Sequence, residues 1–247
     1  MVEKTAKLAE DVRVGPFSYI GPHVKVGRGC IIENNVTLVG KTTLGPKTRV
    51  FPMAVVGAAP ASAGGEGECI IGNANAIREH VTVYGGLDKP TRIGHDNLIM
   101  IGSQIGAGAT LGDHGIFANC TLVGADVNVE DYVRTSAFCS MERGVTVGAY
   151  TFIAGYAGIA HDVPPFAIMQ GYPLRVRGIN TQNLRRCGFG EDDIRSLKNI
   201  VRELFNDSSE QPDSGLLAKL VRNSATNPHV RRLAEFLQQH QTQAGEA

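Results

Sequence analysis

The sequence predicts a mainly β protein: a parallel β-helix of six-residue repeats, followed by a C-terminal α-helical module. The first observation is a run of twelve positions, spaced six residues apart from Ile93 to Ile159, of which only Thr135 is not apolar. The second is an earlier run of nine aliphatic residues with the same spacing, from Leu8 to Val56. A helix repeats its apolar residues every three or four positions and a half-buried strand every second position, so a period of six indicates a hexapeptide solenoid. The third observation is a change to a helical period after Glu191.

Each six-residue repeat is expected to form one side of a triangular coil. Its aliphatic residue points inward, and so does the small or β-branched residue or Cys four positions later, as at Val24, Cys30 and Thr42. The residue directly after the aliphatic is frequently Gly and is expected at a corner, where glycine tolerates unusual backbone dihedrals. Three repeats close a coil, so the twenty-four repeats predict about eight coils, stacked over roughly 40 Å at the spacing of β-strands.

Two insertions and one stop signal interrupt the predicted β-helix, which spans residues 1–170. Residues 57–70 are small and rich in Gly, so we expect an extruded loop there, and residues 85–92 are expected to form a shorter bulge. Residues 162–165 end in two prolines, which cannot donate to a strand ladder. The sequence therefore predicts that this stretch does not continue the ladder.

The last third of the chain is predicted to contain a connecting segment, residues 171–190, and a helical module, residues 191–247. Within the module, Asn227 is expected to cap a last helix that has Pro228 as its first residue. The module is expected either to cover the open end of the β-helix or to pack along its side.

Composition excludes several classes of function. Twenty-four basic and twenty-four acidic residues cancel, which argues against a nucleic-acid-binding surface, because such surfaces need an excess of Lys and Arg. The five cysteines lack paired spacing, so neither a disulfide framework nor a zinc knuckle is predicted. The N-terminus lacks the apolar core of a signal peptide, and no apolar run is long enough for a membrane span. We therefore expect a soluble protein in the cytoplasm.

Several stretches of the sequence resemble one family of hexapeptide-repeat enzymes, the acyl-carrier-protein-dependent UDP-N-acetylglucosamine O-acyltransferases of lipid A synthesis. The resemblance covers nearly the whole chain and is carried by residues 15–24, 77–83, 96–100, 162–171 and 178–189.

This resemblance implies a left-handed coil and a homotrimer, and the flat outer faces of such a prism invite closed association in any case. It also implies that the partners are an acyl carrier protein and a nucleotide-sugar-like molecule, bound in a cleft between subunits. No cofactor and no metal are implied.

The resemblance is weakest at the residues that carry the family's chemistry. The histidine that acts as base in the family falls on Ala107, and a neighbouring histidine falls on Gln104. Two further family histidines fall on Asp126 and Glu142, and Arg143 stands where the family carries Gln. The family's usual chemistry is therefore expected to be altered or lost.

Some of the family's ligand contacts are kept. Asn180 and Arg186 match polar residues of the family's C-terminal module, although one expected Arg falls on Cys187. The resemblance implies that Gln104, Arg143, Asn180 and Arg186 would contact the ligand.

Three alternatives follow for the function. The first is a divergent acyltransferase-like protein that binds an acyl-pantetheine or a nucleotide-sugar-like ligand without the family's base. The second is a non-catalytic trimeric scaffold on the same frame. The third is an acyltransferase for another acceptor, with Asp126 or Glu142 as the base, which would require a raised carboxyl pKa. A metal site at His95 and His114, as in γ-class carbonic anhydrases, is the weakest reading, because a surface histidine explains both.

Overall fold

The computed structural model describes residues 1–61, 64–205, 212–223 and 227–241. Within them the chain forms a left-handed parallel β-helix with three flat faces and a C-terminal helical module. The predicted fold class is confirmed. Part of the predicted module, residues 206–211, 224–226 and 242–247, lies outside the described residues.

The chain adds one short strand to each of the three faces in turn. The first face contains β1 (Lys7–Leu8), β4 (Lys25–Val26), β7 (Lys41–Leu44), β10 (Glu68–Ile71), β13 (Thr91–Ile93), β16 (Thr110–Leu111), β19 (Asn128–Val129) and β22 (Thr146–Val147).

The second face contains β2 (Arg13–Val14), β5 (Ile31–Ile32), β8 (Arg49–Val50), β11 (Ala76–Ile77), β14 (Leu98–Ile99), β17 (Ile116–Phe117), β20 (Arg134–Thr135), β23 (Phe152–Ile153), β25 (Ala167–Gln170) and β26 (Arg175–Ile179).

The third face contains β3 (Tyr19–Ile20), β6 (Thr37–Leu38), β9 (Val55–Ala58), β12 (Thr82–Tyr84), β15 (Gln104–Ile105), β18 (Leu122–Val123), β21 (Ser140–Met141) and β24 (Gly158–Ile159).

The residues of the six-residue period form the core. From Ile20 to Ile159 the aliphatic positions are nearly all fully buried, and they stack in register from coil to coil. Thr135, the one position that is not apolar, is also buried. Its hydroxyl accepts a hydrogen bond from the Ala118 amide at 3.0 Å and shares one with the Thr121 hydroxyl at 2.8 Å. A polar side chain is therefore tolerated there because its hydrogen bonds are satisfied.

The glycine after the aliphatic residue has a different role from the one predicted. At Gly15 the backbone is not left-handed; instead, an added Cβ would lie 2.7 Å from the amide nitrogen of Asn34 in the next coil. Glycine is needed there for close approach between coils. The left-handed corner residue comes two positions later, as at Phe17 and Asn35, with φ values of 61° and 55°.

The β-helix begins a ninth coil, one more than the predicted eight. Val163 forms a parallel bridge with Val147, and β25 pairs with β23. The prediction that residues 162–165 cannot continue the ladder is therefore wrong. The two prolines lie at the corner between the first and second faces, where no ladder donor is required, while the Val163 amide donates to the Thr146 carbonyl at 2.8 Å.

The helical module consists of α1 (Thr181–Arg186), α2 (Glu191–Leu204), α3 (Ser214–Asn223) and α4 (Pro228–Gln241). Strand β26 runs antiparallel to β25 and leads into the helical module. The Asn227 side chain accepts hydrogen bonds from the amides of His229 and Val230 at 2.9 and 3.2 Å, which confirms the predicted cap of the last helix.

The module packs along the side of the last coils. The Asn183 side chain donates to the Tyr132 carbonyl at 3.0 Å, and His240 is hydrogen-bonded to Asp162 at 2.6 Å. Arg232 of α4 forms an ion pair with Glu130. At the other end of the prism, Ala6, Leu8, Val12 and Val14 of the first coil are only partly buried, and no helix of the described residues covers them. Among the described residues, no helix has the length and apolar character to cross a bilayer.

Candidate functional site

One edge of the prism carries both insertions and most of the predicted site residues. We call it the loop edge, and among the described residues it comprises 21–24, 59–61, 64–67, 85–90, 106–109, 124–127 and 142–145. Each of these segments joins a strand of the third face to the next strand of the first face, for example β12 to β13 and β18 to β19. Side chains here are therefore stacked one coil apart, roughly 4.8 Å in each step.

Ala107 and Asp126 are direct neighbours on this edge. The Asp126 amide donates to the Ala107 carbonyl at 3.0 Å, which joins the two residues across adjacent coils. The backbones of Gly108 and Asp126 are both left-handed, with φ values of 71° and 61°. A Cβ on Gly108 would lie only 2.7 Å from Asp126 Oδ1. The Asp126 carboxylate therefore lies directly against the backbone next to Ala107.

Two cations hold the Asp126 carboxylate. Lys89 Nζ lies 3.2 Å from Oδ1, and Arg143 contacts Oδ2 through Nη2 at 2.8 Å and through Nε at 3.0 Å. Lys89 reaches Asp126 from the bulge one coil before Ala107, whereas Arg143 lies one coil beyond Asp126. The three side chains thus join successive coils across the loop edge, and we call them the Asp126 cluster.

The cluster determines the protonation of its carboxylate. Partial burial alone would raise the pKa of Asp126, but the hydrogen bonds from Lys89 and Arg143 and their positive charges outweigh it and lower the pKa below its ordinary value. The raised pKa that a base at this position would require is therefore not found.

Glu142 and Gln104 also lie beside the cluster, and both side chains are exposed. Within the part of the chain that the structure describes, the Glu142 carboxylate has neither a hydrogen bond nor an ion pair. Gln104 lies on the outer surface of β15, in register with Thr82 and Leu122. Both positions are open to a ligand approaching the third face.

Asn180 and Arg186 lie elsewhere. Asn180 is 7% exposed, and its side chain donates to the Tyr150 carbonyl at 2.9 Å and accepts from the Asn183 amide at 3.4 Å at the start of α1. Tyr150 lies on the edge between the first and second faces. Arg186 is exposed on α1. Within a single chain, Asn180 and Arg186 therefore do not lie at the loop edge. Their role as ligand contacts stays a prediction.

The two histidines considered for metal binding have other partners. His95 Nδ1 accepts from the Asn73 amide at 2.9 Å, and the ring of His114 stacks on Tyr132 at 4.6 Å. No group of three or more metal-ligating side chains is present among the residues that the structure describes.

Lys89 is the site residue that sequence reasoning missed. The sequence placed it in a bulge, at residues 85–92, but the six-residue period says nothing of how an insertion folds. The available signal was topological: the bulge leaves the coil at the same edge as Ala107, one coil earlier.

Comparisons with known proteins agree with this architecture. Residues 162–245 match the family described as Udp N-acetylglucosamine O-acyltransferase, Domain 2, and residues 5–40 match the bacterial transferase hexapeptide (six repeats). The acyl-[acyl-carrier-protein]--UDP-N-acetylglucosamine O-acyltransferase of Herminiimonas arsenicoxydans is 34% identical over 246 residues, which cover 96% of this chain and 94% of the relative. The protein of the same name from Thermodesulfovibrio yellowstonii is 31% identical over 244 residues, with the same coverage of both chains.

Solved structures give the same result. LpxA from Acinetobacter baumannii superposes with a TM-score of 0.89 at 30% identity, covering 97% of this chain and 95% of that one. The UDP-N-acetylglucosamine acyltransferase of Arabidopsis superposes with a TM-score of 0.82 at 28% identity, covering 95% of this chain and 93% of that one. Since these likenesses extend over nearly the full length of both partners, the chain belongs to the acyl-[acyl-carrier-protein]–UDP-N-acetylglucosamine O-acyltransferase family.

Proposed function

We propose that this chain is a divergent member of its family that binds an acyl-pantetheine or nucleotide-sugar-like ligand beside Ala107 without the family's histidine-based catalysis. The observation that carries the proposal is the Asp126 cluster. The carboxylate of Asp126, whose amide donates to the Ala107 carbonyl, is held by two cations, and its pKa is lowered.

The loss of a base should reduce the rate strongly. Ala107 has no group that takes up a proton, and general base assistance typically contributes about 10²–10⁴ in rate. A carboxylate whose pKa is lowered is a weaker base than an ordinary one, which disfavours Asp126 in this role. Glu142 is the remaining candidate, and its exposure argues that water solvates it in the absence of a ligand.

The same cluster favours the binding of an anionic group. Arg143 gives Asp126 two of its five N–H donors and Lys89 gives one of its three, so both retain donors for a ligand. The Asp126 cluster carries a net charge of +1 and lies on an accessible edge. A diphosphate of a nucleotide sugar would suit these donors.

A homotrimer would complete the site. The loop edge and the edge that carries Asn180 and Arg186 lie at different corners of one triangular prism. A closed cyclic oligomer would bring the loop edge of one subunit against the other edge of its neighbour. The proposal therefore includes a homotrimer, a cytoplasmic location, and an acyl carrier protein as donor or partner.

The test is an acyl-transfer assay with acyl-carrier-protein donor and UDP-N-acetylglucosamine. We expect little or no turnover by the unmodified chain and, in parallel, measurable binding of UDP-N-acetylglucosamine by calorimetry. The variant Ala107→His restores an imidazole at the base position and is expected to gain activity if the acceptor site is kept.

Two further variants separate the alternatives. Turnover by the unmodified chain that disappears in Asp126→Asn or Glu142→Gln would show a carboxylate base and overturn the loss of catalysis. Absence of turnover with any donor, together with absence of binding by either ligand class, would favour the scaffold and contradict the proposed ligand site.

A further inference from the structure

A second concave site lies on the first coils of the prism. It has a volume of about 400 Å³ and is lined by side chains of the first face and of the loop edge. Its polar lining includes Lys7, Lys25, Lys41, Thr43, His23 and Glu68. We call it the lysine groove. The Asp126 cluster lies several coils away and contributes no residue to it.

The strand register aligns the three lysines. Lys7 of β1 is the direct partner of Lys25 on β4, and Lys25 is the partner of Thr43 on β7. Lys41 precedes Thr43 by two residues on the same strand, so its side chain leaves the same outer surface. Adjacent strands place Lys7 and Lys25 about 4.8 Å apart at the backbone. Like charges directly opposite each other destabilise a sheet.

No group of the described residues neutralises these lysines. Within the described ranges, none of the three forms an ion pair or a side-chain hydrogen bond, although Glu68 is the direct strand partner of Lys41. The arginines of neighbouring coils behave differently: Arg28, Arg49 and Arg78 each contact a glutamate within 3.0 Å. The groove therefore concentrates unpaired positive charge in a chain whose formal net charge is zero.

The described end of the extruded loop contacts the groove lining through His23. Glu66 at the end of that loop is hydrogen-bonded to His23 Nδ1 at 2.7 and 2.8 Å. This contact ties the loop to the corner between β3 and β4, alongside the lysines. Among the described residues, Glu68 is the one carboxylate in the lining of the groove.

We propose that the lysine groove binds a free small molecule that carries a diphosphate group. Two linked phosphoryl groups present anionic oxygens to both Lys7 and Lys25, and Lys41 and the Thr43 hydroxyl add donors on the next strand. Lysine ammonium groups are common phosphate ligands. Binding would remove the repulsion between lysines that the sheet register imposes. The site is independent of the ligand proposed beside Ala107.

Isothermal titration calorimetry on the full chain with inorganic pyrophosphate tests the proposal. The double variant Lys7→Gln/Lys25→Gln is expected to bind pyrophosphate at least tenfold more weakly than the unmodified chain. The matched control Lys47→Gln/Lys198→Gln removes the same charge from two exposed lysines outside the groove, and it should bind as the unmodified chain does. Lys89→Gln tests the other cationic site separately: it should weaken any pyrophosphate binding at the Asp126 cluster and leave the groove unchanged, because Lys89 does not line the groove.

Thermal unfolding gives a second readout. Without ligand, the groove double variant should unfold at the same temperature or higher, since it removes like-charge repulsion. Pyrophosphate should raise the midpoint of the unmodified chain, because a ligand that binds only the folded state stabilises it. That rise should be smaller in the groove variant than in the unmodified chain or in the Lys47→Gln/Lys198→Gln control.

Four results would overturn the proposal. The first is an absence of pyrophosphate binding by the unmodified chain, and the second is equal weakening in both double variants. The third is loss of binding in Lys89→Gln but not in the groove variant. The fourth is recovery of the chain on vesicles that contain phosphatidic acid without any binding of soluble pyrophosphate. The last result would assign the lysines to a lipid surface.

Discussion

Replacing Asp126 by Asn tests the Asp126 cluster. The substitution removes the charge that contacts Lys89 at 3.2 Å and Arg143 at 2.8 Å. It keeps the left-handed backbone with φ of 61°, because Asn tolerates that conformation. Partly exposed ion pairs contribute roughly 0.2–1 kcal/mol each, so losing two should lower the free energy of unfolding by about 0.5–2 kcal/mol.

Thermal unfolding followed by circular dichroism measures this loss. For a chain of this size about 1 kcal/mol shifts the midpoint by roughly 2–4 °C, so Asp126→Asn should unfold about 1–8 °C below the unmodified chain. The control is Glu142→Gln, which removes a charge from the same edge without breaking a contact among the described residues. Its effect should stay within about 0.5 kcal/mol. Equal unfolding midpoints for the two variants would refute the energetic role of the Asp126 cluster. A difference between the two midpoints that stays the same in about 1 M salt would also refute it, because salt screens exposed ion pairs.

Three further predictions follow from the same geometry. The folded-state pKa of Asp126 lies below its unfolded value. The stability difference between the unmodified chain and Asp126→Asn should therefore be complete above about pH 3.9 and disappear as the pH falls through the folded pKa. Urea unfolding at several pH values measures this difference. Gly108→Ala and Gly144→Ala both place Ala in a left-handed backbone, which costs roughly 1–2 kcal/mol. Only the former brings a Cβ to 2.7 Å from Asp126 Oδ1, so its midpoint should be the lower of the two, and equal midpoints would contradict the close packing. Asn180→Ala removes the hydrogen bond to the Tyr150 carbonyl and should destabilise the protein by about 1–3 kcal/mol, detected as faster proteolysis of the helical module.

The inward side of the β-helix was predictable because one physical requirement repeats. Each coil must bury an aliphatic residue on each face, so the positions from Ile93 to Ile159 could be assigned without any knowledge of contacts. The same regularity predicted insertions at residues 57–70 and 85–92, because an insertion shows as a break in the period. Strands occupy parts of both ranges, since β9 reaches Ala58, β10 begins at Glu68 and β13 begins at Thr91.

The outward side was predictable only in part, because a period does not specify side-chain partners. The positions of Ala107 and Asp126 followed from counting, but the contact between Asp126 and Lys89 depends on how a bulge folds back across Gly108. The prediction that residues 162–165 end the ladder was wrong for a related reason. A proline breaks a ladder only where a donor is needed, and Pro164 lies at a corner.

The partial burial of the first coil affects how the molecule opens. Each coil of a solenoid contacts only its neighbours, so stability is a sum over adjacent coils. At the C-terminal end, β26 and the helices add contacts to the last coil, whereas the residues of the first coil are only partly buried. Opening should therefore start at the N-terminus and proceed coil by coil. In native-state hydrogen exchange, amide protection should rise from β1 toward the interior of the stack.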